Sequence, residues 1–197
     1  PMGNCEYTNP GMEKHFRHNS IFTGGKTRKA IEDGRADFTP CFFHQVPELL
    51  KNQLPVDVAL IQVSEPDQQG YCSFGVSVDY TKPAAEMASL VIAQVNKKMP
   101  RTMGDSFIHI SDIDYIVEYT EDLLELPLPK IGDVEKAIGE NCAKLVSDGD
   151  TLQLGIGAIP DAVLMFLKDK KDLGIHSEMI SDGVIELVES GVITNKR

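Results

Sequence analysis

Gly149-Asp-Thr-Leu-Gln-Leu-Gly-Ile-Gly-Ala-Ile-Pro-Asp-Ala-Val163 and, ten residues on, Leu173-Gly-Ile-His-Ser-Glu-Met-Ile-Ser-Asp-Gly183 carry the pattern that decides the fold. Thr151 to Leu154 is a short strand pattern, and Gly155 to Pro160 a glycine-rich turn. Pro160 to Leu167 is a helix with proline in its opening turn, where a missing N–H is no loss. Leu173-Gly174 closes that unit. Ile175 to Ile180 reads as the next strand, and Asp182-Gly183 leads into a helix over Val184 to Glu189. Strand, helix, strand in this order predicts a parallel α/β sheet.

Upstream, Asp133 to Val146 has a helical period with Val134, Ala137, Ile138 and Leu145 on one side, and Asp148-Gly149-Asp150 stops it. Leu126-Pro-Leu-Pro-Lys130 breaks regular structure and reads as a linker. It divides the chain into residues 1–127 and 128–197. In the first part, Val56 to Val63 is a β run of the buried parallel kind, and Phe107 to Ile110 another short strand. Gly70 to Tyr80 reads as a loop. Pro83 to Lys98 reads as a helix with Met87, Leu90, Val91 and Val95 on one face. Ile31 to Asp33 before Gly34 is a helix end, and Phe38 to Val46 an apolar strand running into a loop.

Bulk properties remove whole classes of function. With 197 residues, roughly 70% of the unfolded surface can be buried, so no covalent staple is required. A net charge of -11 argues against nucleic acid, whose phosphates need a Lys/Arg surface. No apolar run approaches a membrane span, and the opening Pro-Met-Gly-Asn-Cys is not a signal peptide. Cys5, Cys41, Cys72 and Cys142 form no C-x-x-C pair and have neither zinc nor disulfide spacing. Reduced, mostly buried thiols in a cytoplasmic protein are expected. The missing initial Met, and an end directly after a helical pattern, suggest a piece of a longer chain.

A Gly-x-Gly turn between strand and helix lets backbone N–H groups approach a ligand, and the helix N-terminus favours anionic or polarised oxygens there. Three readings follow: a structural turn, a dinucleotide site, and an acyl or CoA site. A dinucleotide site wants a third glycine where Pro160 stands, although Glu178 lies near the distance of its ribose-binding acid. Gly25-Lys26-Thr27 resembles the end of a P-loop, but Ser20 stands where the first glycine belongs. Glu178 falls near the C-terminal end of a predicted strand, on the sheet edge where ligands collect. An acid in an apolar strand is costly unless used or paired. His176, two residues away, should share its face and so orient substrate, or is a satisfied histidine. His44 is a second candidate for the cleft. No third ligand accompanies His176 and Glu178, so no metal is expected.

These two stretches together resemble the acetyl-CoA hydrolase/transferase family, and Asp67 to Tyr80 and Pro100-Arg-Thr-Met-Gly-Asp-Ser106 look similar to it as well. The resemblance spans nearly the whole chain. It implies CoA-transferase-like α/β domains, two in the full-length family and here incomplete. Residues 1–127 would be most of the first domain without its start. Residues 128–197 would be the linker and the first part of the second. It places the nucleophile of the family's His/Tyr-Ser/Thr-Glu motif at Glu178 and the CoA-contacting turn on Gln153, Leu154, Gly155, Ile156 and Gly157. It implies exchange of CoA between short-chain acyl-CoA and a carboxylate, through a glutamyl-CoA thioester with ping-pong kinetics. Acetate, butyrate and 4-hydroxybutyrate are all compatible. CoA would be substrate and product, with no tightly bound cofactor. The expected partners are acyl-CoA and carboxylates, with further copies or a complementing chain, and neither nucleic acid nor membrane. A hydrolase of the same family, a noncatalytic dinucleotide module and a noncatalytic piece of a split enzyme are the alternatives.

Overall fold

The structure, a computed structural model, describes residues 6–196. It falls into two compact units that meet in sequence at Glu125 and Leu126.

The first unit opens with 3-10 turns at Glu6–Thr8 and Met12–Lys14, followed by a small parallel pair, β1 (Asn19–Ser20) and, after helix α1 (Gly25–Glu32), β2 (Asp37–Phe38). Helix α2 (Val46–Asn52) follows, then β3 (Val58–Val63), β4 (Tyr71–Ser73), helix α3 (Thr81–Met87), β5 (Leu90–Val95), β6 (Phe107–His109) and β7 (Tyr115–Glu118). The main sheet has the order β3-β5-β7 and is parallel throughout, while β4 and β6 form a separate antiparallel pair. Ala59, Ile61 and Val63 of β3 and Val91, Ala93 and Val95 of β5 alternate into one core with Cys72, Phe74, Ala85 and Ile108. The other face of β3 is not buried: Leu60 is 77% exposed. The expected burial of that strand therefore holds for one face.

Three sequence expectations change here. The run read as a helix from Pro83 to Lys98 is helical only to Met87. Ala88 turns extended (φ -69°, ψ 147°), and Leu90–Val95 pairs residue by residue with Val58–Val63. Met87, Leu90, Val91 and Val95 satisfy a helical period, but Val91 and Val95 also satisfy a period of two, and sheet pairing on both sides decides. The supposed loop from Gly70 to Tyr80 contains β4. The supposed strand from Phe38 to Val46 ends at Phe38, and Phe43–Gln45 is a 3-10 turn leading into α2.

β4 and the segment from Met99 to Ser106 are sewn together by polar groups. Ser73 Oγ accepts from the N–H of Gly75 (3.0 Å) and of Thr102 (3.1 Å). Thr102 Oγ1 donates to the Gly75 carbonyl (2.8 Å). Gly75 has φ +61°, and a Cβ there would stand 2.2 Å from Met99 Sδ and 2.8 Å from the Pro100 carbonyl. Glycine is required twice over, by conformation and by space. Arg101 donates to the Tyr71 carbonyl (3.0 Å), pairs with Asp67 (2.5 Å), and lies 4.5 Å from the centre of the Phe107 ring. The N–H groups of Tyr71 and Gln69, and then Arg101, hold the Asp67 carboxyl below its ordinary pKa.

The second unit runs α4 (Asp133–Ala143), β8 (Thr151–Leu152), α5 (Ala158–Met165), β9 (Gly174–Ile175) and α6 (Asp182–Glu189). Its core gathers Ala143, Leu164, Leu167, Leu173, Val184, Leu187, Val192 and Ile193. The helix read from Asp133 to Val146 ends at Ala143, and its apolar side is exposed: Val134 is 68% and Ile138 36% exposed, while Leu145 lies beyond the helix end. The packing face is Gly139 and Ala143, because Gly139 lies against the backbone of Ala162 in α5. A Cβ on Gly139 would stand 2.7 Å from the Ala162 carbonyl carbon. Close helix contact through small residues outweighs the larger apolar stripe. Cys41 is half-buried, Cys72 buried and Cys142 exposed, all as free thiols. The expectation of mostly buried thiols therefore fails at Cys142, and Cys5 lies outside the described residues.

Candidate active site

β8 and β9 pair in parallel, Thr151 with Gly174 and Leu152 with Ile175. Gly174 N–H donates to Asp150 O (2.9 Å) and His176 N–H to Leu152 O (3.0 Å). A parallel bridge from Leu173 to Ile193 extends the sheet on the other side of β9. Both strands hand over to helices at the same edge, β8 through Gln153 to Gly157 into α5, and β9 through His176 to Ser181 into α6. The glycine-rich turn and Glu178 thus share the C-terminal edge of the sheet, the edge on which ligands collect in open α/β sheets.

Gly157 is the N-cap of α5, with φ 123° and ψ -177°, a conformation open to glycine alone at low cost. Gly155 differs: a Cβ there would lie 3.6 Å from Pro160 Cγ, an ordinary contact. The local fold tolerates a side chain at Gly155, and what its absence gains is bare backbone on the exposed side. Among the described residues, no partner takes the N–H of Gly155, Ile156 or Gly157. Three free donors before a helix N-terminus suit an oxyanion or a polarised carbonyl.

Glu178 is exposed and, among the described residues, has no hydrogen bond or ion pair. Its setting corrects the expectation from sequence. β9 ends at Ile175, so Glu178 stands on a loop and not in a buried apolar strand, and with the strand gone His176 and Glu178 share no strand face. Ile180 is 63% exposed; its apolar character and that of Met179 imitated a longer strand. His176 and Gln153 are also exposed. His44 belongs to the first unit, in the 3-10 turn after Phe42, and stacks on the Phe42 ring at 5.8 Å.

Sequence reasoning passed over three polar residues. Ser177 Oγ accepts from Leu154 N–H (3.2 Å) and donates to Leu154 O (2.9 Å), joining the two loops. Asp161 Oδ1 and Ser181 Oγ are buried without a partner among the described residues. The signal for Ser177 was its place as the Ser/Thr of the motif that ends at Glu178. Among the described residues no group of three His, Cys, Asp or Glu side chains is placed to hold a metal ion. No helix there is long and apolar enough to cross a membrane.

Fold and edge together define an α/β protein with a parallel main sheet and a candidate strand-edge site of free N–H donors and an exposed carboxylate. The acetyl-CoA hydrolase/transferase N-terminal domain matches residues 3–126, and the chain belongs to that family. It is 75% identical, over its whole length and 46% of the relative, to the 4-hydroxybutyrate coenzyme A transferase of Clostridium kluyveri. It is 49% identical to the succinyl-CoA:acetate/propanoyl-CoA:succinate CoA transferase of Fasciola hepatica, over 93% of this chain and 39% of that one. The crystal structure of a 4-hydroxybutyrate CoA-transferase from Porphyromonas gingivalis matches with a TM-score of 0.78 and 48% identity, covering 92% of this chain and 48% of that one. The chain spans about half the length of the curated relatives it matches.

Proposed function

We propose that this chain carries the nucleophile of a CoA-transferase that moves CoA between a short-chain acyl-CoA and a carboxylic acid. The observation that carries the reading is the exposed, unpaired carboxylate of Glu178 on the same sheet edge as the free N–H groups of Gly155, Ile156 and Gly157. The ionised carboxylate attacks the acyl-CoA carbonyl, and collapse of the tetrahedral intermediate gives an acyl-glutamyl anhydride and CoA thiolate. The thiolate attacks the glutamyl carbonyl, releasing the first acid and leaving a glutamyl-CoA thioester. A second carboxylate runs the sequence backwards. Each tetrahedral oxyanion needs donors, and one backbone N–H in such a place is worth about 3 kcal/mol. A carboxylate nucleophile suits the task because the anhydride and thioester remain reactive enough for the return step.

The relative from Clostridium kluyveri, named a 4-hydroxybutyrate coenzyme A transferase, supports 4-hydroxybutyrate, with acetate or butyrate as the exchanging acid. Gln153, Leu154, Gly155, Ile156 and Gly157 are assigned to CoA, and His176 to orienting substrate. Residues 1–127 are read as part of a first domain and 128–197 as the opening of a second. The remaining machinery comes from further sequence, in the same chain or in a complementing one. Free thiols and a CoA substrate fit a cytoplasmic setting. Against a dinucleotide site, Pro160 replaces the third glycine. Between transferase and hydrolase, the acceptor that resolves the thioester decides.

The test is mass spectrometry of the full-length protein containing this chain, incubated with butyryl-CoA and peptide-mapped. A CoA-dependent adduct on Glu178, absent from Glu178→Ala, is expected. A fully active Glu178→Ala without any adduct in the parent overturns the assignment.

A further inference from the structure

We propose that Ser177 is a positioning residue that ends the β8–β9 ladder and so delivers Glu178 to the glycine-rich turn; this rests on Glu178 being the nucleophile. In a parallel pair the ladder continues by regular alternation. After His176 N–H to Leu152 O (3.0 Å), the next two bonds would run from Leu154 N–H to His176 O and from Glu178 N–H to Leu154 O. Neither forms among the described residues. Both Leu154 groups are taken by the Ser177 hydroxyl, which accepts at 3.2 Å and donates at 2.9 Å. A hydroxyl is able to do both, being one donor and an acceptor at once.

The consequence for geometry is specific. Had the backbone ladder continued, Glu178 would be pinned in the sheet by its own N–H. With Ser177 Oγ in its place, the chain leaves the sheet after Ile175 and the carboxylate of Glu178 is exposed at the edge. The same oxygen holds Leu154, the residue that opens the turn bearing the N–H donors. One atom therefore fixes nucleophile loop and donor turn against each other. On the far side of β9 a second side chain does a backbone's work: Asn195 Oδ1 accepts from Ile175 N–H at 2.7 Å, with Asn195 itself at φ 49°. The Ser177 proton is committed to Leu154 O, so the hydroxyl has no donor left for substrate and acts through Glu178 and the turn.

The test compares Ser177→Thr, Ser177→Val and Ser177→Ala in the full-length protein containing this chain. Thr and Val share a shape and differ in the hydroxyl. Readouts are the single-turnover rate of adduct formation on Glu178, kcat and KM separately, and a thermal melt. Misplacement of reacting groups by an ångström costs about 100-fold. Ser177→Val should therefore slow adduct formation and kcat by about that factor, with KM for acyl-CoA held, while Ser177→Thr keeps the parent rate. Where Ser177→Val does not fold, Ser177→Ala carries the same loss. Equal slowing in Thr and Val, or parent-like adduct formation in Val and Ala, overturns this proposal and leaves the nucleophile standing. No adduct on Glu178 in the parent overturns the nucleophile and this proposal together.

Discussion

Gly75→Ala is a demanding test of how the first unit is packed. The backbone at Gly75 has φ +61°, in the left-handed region that costs an L-residue about 1–2 kcal/mol. The added Cβ would also stand 2.2 Å from Met99 Sδ, 2.5 Å from Met99 Cγ and 2.8 Å from the Pro100 carbonyl. Met99 is 5% exposed, so its side chain has little room to swing away, and the carbonyl belongs to backbone already tied through Thr102 to Ser73. Overpacking of this kind costs roughly 1–3 kcal/mol. The sum is about 2–5 kcal/mol, a large part of the 5–15 kcal/mol that holds a typical domain. The control is Gly104→Ala. Gly104 has φ +90°, but nothing lies within 4 Å of its Cβ position, so it bears the conformational cost alone, about 1–2 kcal/mol. Urea unfolding followed by circular dichroism separates them, with the midpoint of Gly75→Ala falling well below that of Gly104→Ala. Equal midpoints would refute the close approach between the turn and Met99.

Two further outcomes follow from charge and burial. The Asp67 carboxyl is held below its ordinary value of 3.8, first by the Tyr71 N–H, then by the Gln69 N–H and Arg101. Its contribution is complete above that value and lost as pH falls through the lower folded one, so Asp67→Asn should flatten the acid limb of stability against pH below about 4, read by thermal melts. Cys142 is exposed and Cys72 buried, with burial pushing the Cys72 thiol above its usual range. Iodoacetamide at pH 8 should alkylate Cys142 in the folded protein and reach Cys72 only in denaturant, as peptide mapping would record.

What the sequence made legible was connectivity more than face. Strand, turn, helix and strand between Thr151 and Ile175 could be read because Gly155, Gly157 and Pro160 punctuate them. The sheet edge shared by turn and acid followed from that order. Residues Leu90 to Val95 were misread because a six-residue apolar run fits two periods, and only its neighbours Val58–Val63 and Tyr115–Glu118 choose between them. The packing face of α4 was not legible because a hydrophobic count picks out Val134 and Ile138, whereas the contact depends on Gly139, which has no side chain to count. Ser177 carried only its place as the hydroxyl residue of the His/Tyr-Ser/Thr-Glu motif, which names no role for it. Its role appears only when the ladder bonds of Leu154 are followed one by one.

Met99 is a reactive thioether as well as a packing residue. Its sulfur receives the Val76 N–H at 3.5 Å and fills the space that Gly75 leaves empty. A sulfoxide oxygen on that sulfur would find no volume to occupy and would turn an apolar plug into a polar one. The folded protein shields the thioether from peroxide, whereas a sulfoxide formed while the chain is open would oppose closure of the turn. Peroxide acting on the open chain would thus divide a preparation into molecules that refold readily and molecules that refold poorly, and a methionine sulfoxide reductase would return the second to the first.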